Sequence, residues 1–243
     1  MSEEYAHILR NAIAEHNLIT VKKLISEKKV TIQSPNPENG WNSLFYAIRY
    51  NAQEIFNYLI FDAKHEINGC SKDFEGNNAA IIAAKYKNQD AFNVYIELFP
   101  DIVFEKNQDG CSPLHFAAQN GMREMVIKLL DMNVPGSIED NQGNTPLHYA
   151  SAWNQGDIIS LLIDRNCSLE IKNKAGWTPF DFAYSLDLKQ SMKAYVNEIS
   201  EGQRTNITNI DNLKVGMSIQ SISFNSSVNI DNNSTNNGIH HYY

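Results

Sequence analysis

One spacing limits what this chain can fold into more than any other feature. Ser112-Pro113-Leu114-His115, Thr145-Pro146-Leu147-His148 and Thr178-Pro179-Phe180-Asp181 set their prolines 33 and 33 residues apart. The glycines ahead of them extend the series to Gly40, Gly76, Gly110, Gly143 and Gly176, spaced by 36, 34, 33 and 33. A nearly constant period of this size marks one supersecondary unit copied in tandem, each copy too small to bury its apolar face alone. The residue types fit a finger-like turn leading into a helix. Glycine permits the positive φ of the turn. The Ser or Thr hydroxyl caps the helix, and proline at the first helical position gives up no needed donor. The small pairs Ala83-Ala84, Ala117-Ala118 and Ala150-Ser151 let neighbouring helices approach.

A second set of residues tests the register. The period and tetrad are similar to those of the ankyrin repeat, and that resemblance implies that positions 12, 15 and 16 after the Leu of the tetrad form the buried face of a second helix. They hold Phe56, Leu59, Ile60; Phe92, Tyr95, Ile96; Val126, Leu129, Leu130; Ile159, Leu162, Ile163; and Met192, Tyr195, Val196, all apolar. At 42% apolar composition, chance gives this on the order of a few times in a million. The same rule from Leu9 yields Val21, Leu24 and Ile25, an opening copy without the finger glycine. This pattern resembles the ankyrin repeat. The resemblance implies an all-α solenoid of about six helical hairpins over residues 5–200, with repeats at roughly 5–35, 36–71, 72–105, 106–138, 139–171 and 172–200. His115 and His148 are then structural, bonding the backbone of a neighbouring finger. Repeat three, Asn78-Ala79-Ala80-Ile81, has lost most of the tetrad and is expected to be the weakest unit.

Composition changes after about residue 200. From Thr205 to Tyr243 there are nine asparagines, six serines and only three charged residues, so residues 201–243 are expected to be a disordered tail. Within it the apolar island Leu213 to Phe224 reads either as a docking segment or as a chance cluster. The 243 residues carry 20 Lys+Arg against 28 Asp+Glu, a net charge of −8. Such a surface repels phosphate backbones, which argues against nucleic-acid binding. No apolar run is long enough to span a bilayer, and three scattered cysteines make no disulfide framework. The expected setting is the cytoplasm.

Chemistry-bearing motifs are few. Cys111 and His115 are four apart, but one lies in a finger and the other in the structural tetrad. No Cys-x-x-Cys, His-Glu-x-x-His or phosphate-cradling glycine loop occurs. The expectation is no enzyme, no cofactor, no metal and no small-molecule substrate. The informative constellation is aromatic. In a repeat of this kind, finger residues and the two residues after the small pair face a concave groove and are not needed for stacking. The candidate groove residues are Trp41, Phe74, Asn144 and Trp177 on fingers, with Arg49, Tyr50, Lys85, Tyr86, Asn120 and Trp153 at inner-helix ends. Tyr50, Tyr86 and Trp153 form a row that Asn120 interrupts. Large amphipathic rings at unburied positions are the material of binding hot spots. Alternatively, Trp41 and Trp177 lie against the next finger and stiffen it. Arg49 and Lys85 suit a partner carrying carboxylate or phosphate, or they are ordinary solvated charges.

The irregularities also form a series: Leu9-Arg10-Asn11-Ala12-Ile13, Val21-Lys22-Lys23-Leu24, Glu38-Asn39-Gly40-Trp41-Asn42-Ser43-Leu44, Phe74-Glu75-Gly76-Asn77, Leu98-Phe99-Pro100, then Trp177 with Pro179 and Asp181. This order resembles the fungal ankyrin-repeat accessory subunits of target of rapamycin (TOR) complex 2, over roughly residues 8–196. The resemblance implies a non-catalytic scaffold with protein partners among the kinase-complex subunits. It places the chain at the membrane periphery and in the control of growth, actin and lipid homeostasis. That family carries a longer Ser-rich tail than this chain does, and no partner-contact residue is carried across. The rival expectation is a stand-alone adaptor or inhibitor, for example one linking a client to a ubiquitin ligase or the proteasome.

Overall fold

The computed structural model describes residues 3–183 and 185–199. It forms two units, Met1–Ala194 and Tyr195–Tyr243. The expected tail, its apolar island and the end of the sixth repeat lie outside the described residues. No strand occurs among the described residues.

The first unit is a file of helical hairpins. The helices are α1 (Glu3–Ala14), α2 (Leu18–Ser26), α3 (Ser43–Arg49), α4 (Gln53–Asn57), α5 (Ala79–Lys85), α6 (Gln89–Leu98), α7 (Pro113–Gln119), α8 (Arg123–Asp131), α9 (Pro146–Ala152), α10 (Gly156–Asp164) and α11 (Pro179–Phe182). A further helix begins at residue 186, and the described residues of the second unit, 195–199, are helical too. The odd-numbered inner helices α1, α3, α5, α7, α9 and α11 pack each on the next. Leu44, Leu114 and Leu147 are fully buried between them, as are Ala83, Ala84, Ala117, Ala118 and Ala150. Small side chains at these positions let the helices approach closely.

Local chemistry starts and stops each helix. Ser112, Thr145 and Thr178 cap α7, α9 and α11 as capping boxes, and proline follows each. In repeats two and three an asparagine takes over the task. The Asn42 carboxamide accepts from Phe45 N, and that of Asn78 from Ile81 N, both at 3.0 Å. Repeat three therefore keeps its cap without the tetrad, and Ala79 through Ala84 are all fully buried. Inner helices α1, α3, α5, α7 and α9 are followed by a residue in the left-handed region: His16, Asn51, Lys87, Gly121 and Asn154. The following amide turns back to the helix, as in Ala52 N to Ala47 O and Gln155 N to Ala150 O, both at 2.9 Å.

Most of the expected outer-helix positions are buried. Ile25, Leu130, Ile163 and Tyr195 are half-buried, and Val196 departs from the expectation at 39% exposure. No further outer helix follows it among the described residues. The long second repeat absorbs its extra length after α4. The helix loosens into a π turn over Tyr58–Asp62, closed by Ala63 N to Tyr58 O at 2.9 Å. The loop beyond it buries His65 and Glu66. The Glu66 carboxylate lies 2.7 Å from His65 Nδ1 and accepts from Ser71 N at 2.6 Å, Ser71 Oγ at 2.9 Å and Tyr95 OH at 3.3 Å. His65 Nε2 lies 3.0 Å from Ile32 O, and Gln33 donates to the His65 carbonyl. One loop thus bonds to repeats one and three.

Candidate partner-binding face

The four fingers at Gly76, Gly110, Gly143 and Gly176 are built on an aspartate or asparagine three residues before the glycine. Asp73 Oδ1 accepts from Glu75 N and Asn77 N, Asn107 Oδ1 from Asp109 N and Cys111 N, and Asp140 Oδ1 from Gln142 N and Asn144 N. Asn173 does the same for Ala175 N and Trp177 N, both at 3.0 Å. Glycine then takes a φ of +77° to +82° at Gly40, Gly76, Gly110, Gly143 and Gly176. The room is needed at Gly110, where a Cβ would stand 2.7 Å from Asn141 N. Successive fingers are joined by backbone bonds from Phe74 N to Asn39 O, Gln108 N to Glu75 O, Asn141 N to Asp109 O and Lys174 N to Gln142 O, at 2.8–3.2 Å.

The tetrad histidines tie helix to finger. His115 Nδ1 accepts from Ser112 N at 3.1 Å, so its Nε2–H donates to Asn144 O at 3.2 Å. His148 repeats this with Thr145 N and Trp177 O, both at 3.1 Å. Burial holds the His115 imidazole down at about 4, and lowers His148 as well. These are neutral structural rings. In the last described repeat Asp181 replaces histidine and closes the cap on Thr178 N at 2.8 Å.

Fingers and inner-helix ends line one common face, because side chains from both meet there. The Arg49 guanidinium, at the end of α3, lies 5.5 Å from the finger ring Trp41, 5.6 Å from Tyr50 and 5.5 Å from Tyr86. Lys85, at the end of α5, pairs with the finger residue Glu75 at 3.0 Å and lies 5.1 Å from the Phe116 ring. The lysine holds the Glu75 carboxyl below its ordinary value. Tyr50, Tyr86, Asn120 and Trp153 each close an inner helix through their own amide, donating to the carbonyl four residues back. The left-handed residue that follows turns the chain away there.

The candidate residues separate into two groups. Tyr50, Phe74, Tyr86, Trp153 and Trp177 are exposed, Trp153 at 59% and Trp177 at 55%. A shallow depression of about 430 Å³ lies beside Trp177, lined by Asn173, Ala175, Asp181 and Phe182. Trp41 is not open to the groove: it is 8% exposed. Its indole N–H donates to Asp73, and its ring meets Tyr46 and Tyr86 edge-on at 5.5 and 5.6 Å. The alternative reading, a ring laid against the next finger, describes it. Asn120 and Asn144 are also drawn into the scaffold. Asn120 donates to Ala84 O at 2.9 Å and Lys85 O at 3.2 Å. Asn144 donates to Asp140 Oδ2 at 3.0 Å and accepts from Asn173 at 2.8 Å. The Asn120 carboxamide is thus taken by helix-end backbone, and that of Asn144 by polar side chains of its own and the next finger.

Nucleophilic and metal chemistry find little footing. Burial pushes the Cys70, Cys111 and Cys167 thiols up, away from the reactive thiolate. Cys111 Sγ sits 3.1 Å from Tyr149 OH rather than beside His115. Among the described residues no group of His, Cys, Asp and Glu is placed to hold a metal ion. No helix among them is long and apolar enough to cross a membrane.

This geometry agrees with known proteins. The family described as ankyrin repeats (3 copies) matches residues 9–102 and 81–173. The chain is an ankyrin-repeat protein. Its repeats make it a protein–protein interaction scaffold. The ankyrin repeat domain of human ASB11 superposes with a TM-score of 0.63 at 23% identity, covering 77% of this chain and 82% of that one. That likeness is one of fold. In sequence, the chain is 28% identical over 144 residues to "Target of rapamycin complex 2 subunit AVO2" of Saccharomyces cerevisiae. It is 27% identical over 131 residues to "Glycerophosphocholine phosphodiesterase GDE1" of Candida albicans. These matches take in 59% and 54% of this ankyrin chain, but only 34% and 11% of the two relatives.

Proposed function

We propose that this chain is a non-catalytic accessory subunit of TOR complex 2. In this reading it sits in the cytoplasm, reaches the membrane periphery through the assembly, and holds a partner protein on its finger-and-inner-helix face. The observation that carries the reading is the 28% identity over 144 residues with a subunit of that complex. The exposed rings of Tyr50, Tyr86, Trp153 and Trp177 support a partner-binding role for this face. The match to the phosphodiesterase takes in 11% of that enzyme, and three thiols raised by desolvation favour no nucleophilic role. Affinity purification of the tagged full chain from its native cells, with mass spectrometry of the co-purifying proteins, tests the proposal. TOR complex 2 subunits are the expected companions. Ubiquitin-ligase or proteasome subunits in their place would support the adaptor reading instead.

A further inference from the structure

We infer that Arg49 is the anchor of a carboxylate-reading site, and that the segment bound on this face presents an aspartate or glutamate to it. The inference rests on the partner-binding role proposed for the face. Among the described residues Arg49 is the one cation held over more than one ring. Trp41, Tyr50 and Tyr86 each lie 5.5–5.6 Å from its guanidinium carbon. Two of these rings are themselves fixed, since Trp41 meets Tyr86 edge-on at 89° and is buried. A planar guanidinium held in this way has lost much of its rotamer freedom before any partner arrives.

Its hydrogen-bonding capacity is unspent. Arg49 is exposed, and among the described residues its side chain makes no ion pair or hydrogen bond. The nearby acids are committed elsewhere: Asp73 to Trp41 Nε1, Asn77 and finger amides, and Glu75 to Lys85 and Asn77. A pre-oriented fork of N–H donors, ringed by aromatic surface, fits a carboxylate bidentately.

Charge selects carboxylate over phosphate. The neighbouring cation, Lys85, is already neutralised by Glu75 at 3.0 Å. One uncompensated positive charge therefore remains at this spot in a chain of net charge −8. That matches a singly charged side chain, whereas a phosphoryl group brings nearly two negative charges and needs more than one cation.

The test uses random peptides of about twelve residues, long enough to span roughly 40 Å when extended, displayed on phage and selected on the full chain. The best binder is then synthesised with its acidic residue intact, as the amide, and as phosphoserine. The expected result is about tenfold weaker binding for the amide on the native chain. On Arg49→Gln, checked by thermal melting to be folded, acid and amide should bind within about twofold of each other. Arg49→Lys, with charge but no fork, should restore only part of the preference. Unchanged acid preference on Arg49→Gln, with binding still lost on Trp153→Ala or Trp177→Ala, overturns the anion site and leaves the face reading intact. Tighter, Arg49-dependent binding of the phosphoserine peptide overturns the choice of carboxylate. Peptides indifferent to Arg49, Trp153 and Trp177 alike, or none selected, overturn the face reading and the site with it.

Discussion

The indole N–H of Trp41 donates to the carboxylate of Asp73, thirty-two residues on, at 3.1 Å. The bond joins the finger of repeat two to the finger of repeat three. It turns the most conspicuous ring of the sequence into part of the scaffold.

Trp41→Ala should therefore destabilise the fold by about 3–5 kcal/mol, as expected for removing a buried ring. Trp153→Ala should change stability by less than about 0.5 kcal/mol while weakening partner binding. Urea denaturation of both variants decides the matter; similar losses would mean that the two rings have been wrongly separated.

Leu114 is fully buried between inner helices. Leu114→Ala is expected to lower stability by about 2–5 kcal/mol through lost burial and a residual cavity. An effect within the surface range of about half a kcal/mol would refute the register assigned to the repeat.

The finger glycines should differ in their tolerance of a methyl group. Gly176 has φ +82° but open space, so Gly176→Ala should cost about 1–2 kcal/mol from backbone strain alone. Gly110→Ala adds a collision, its Cβ falling 2.5 Å from Asn141 Oδ1 and 2.7 Å from Asn141 N. It should cost clearly more. Melting curves for the pair give the order, and the reverse order would contradict the finger geometry.

Acid should loosen the structure in a defined window. Burial lowers His115 from 6.5 to about 4, so between those values the unfolded chain binds a proton that the folded one refuses. The histidine's contribution is complete above about pH 6.5 and disappears as pH falls to about 4, up to roughly 3 kcal/mol. His148 shifts in the same direction. Asp140 acts mainly below this window, adding a loss of the same sign only towards its lower end. Burial raises its carboxyl, but bonds from Asn144, Tyr149 and Gln142 outweigh that and leave it below 3.8. Unfolding free energies measured at pH 7 and 4.5 should differ less in His115→Gln than in the native chain. An unchanged difference would assign the acid sensitivity to other groups.

Much of the fold was legible because the repeat states the same local requirement several times. Gly40 through Gly176 announce one turn, Leu114 and Leu147 one interior, His115 and His148 one bond to the next finger. The acid or amide three residues before the glycine carried an equally clear period at Asp73, Asn107, Asp140 and Asn173, and sequence reasoning passed over it. What could not be read was the choice made at a single position. Trp41 and Trp177 follow equivalent glycines, yet one is buried and the other open. The difference lies in a partner one repeat away, since Trp41 meets the Asp73 carboxylate and Arg49 covers its ring. Asn120 looked like a gap in the aromatic row, and the backbone it bonds lies thirty-six residues earlier, at Ala84. Position within a repeat is local information; who stands opposite is not.

The packing of each inner helix on the next also sets how this molecule fails. A repeat leans only on the units beside it, so a rupture at one junction is not bridged from further along the file. Loosening between repeats three and four would leave Arg49 and its rings in one fragment, with Trp153 and Trp177 in the other. A long ligand held by both would then lose the benefit of tethering, and its two halves would dissociate as independent weak binders.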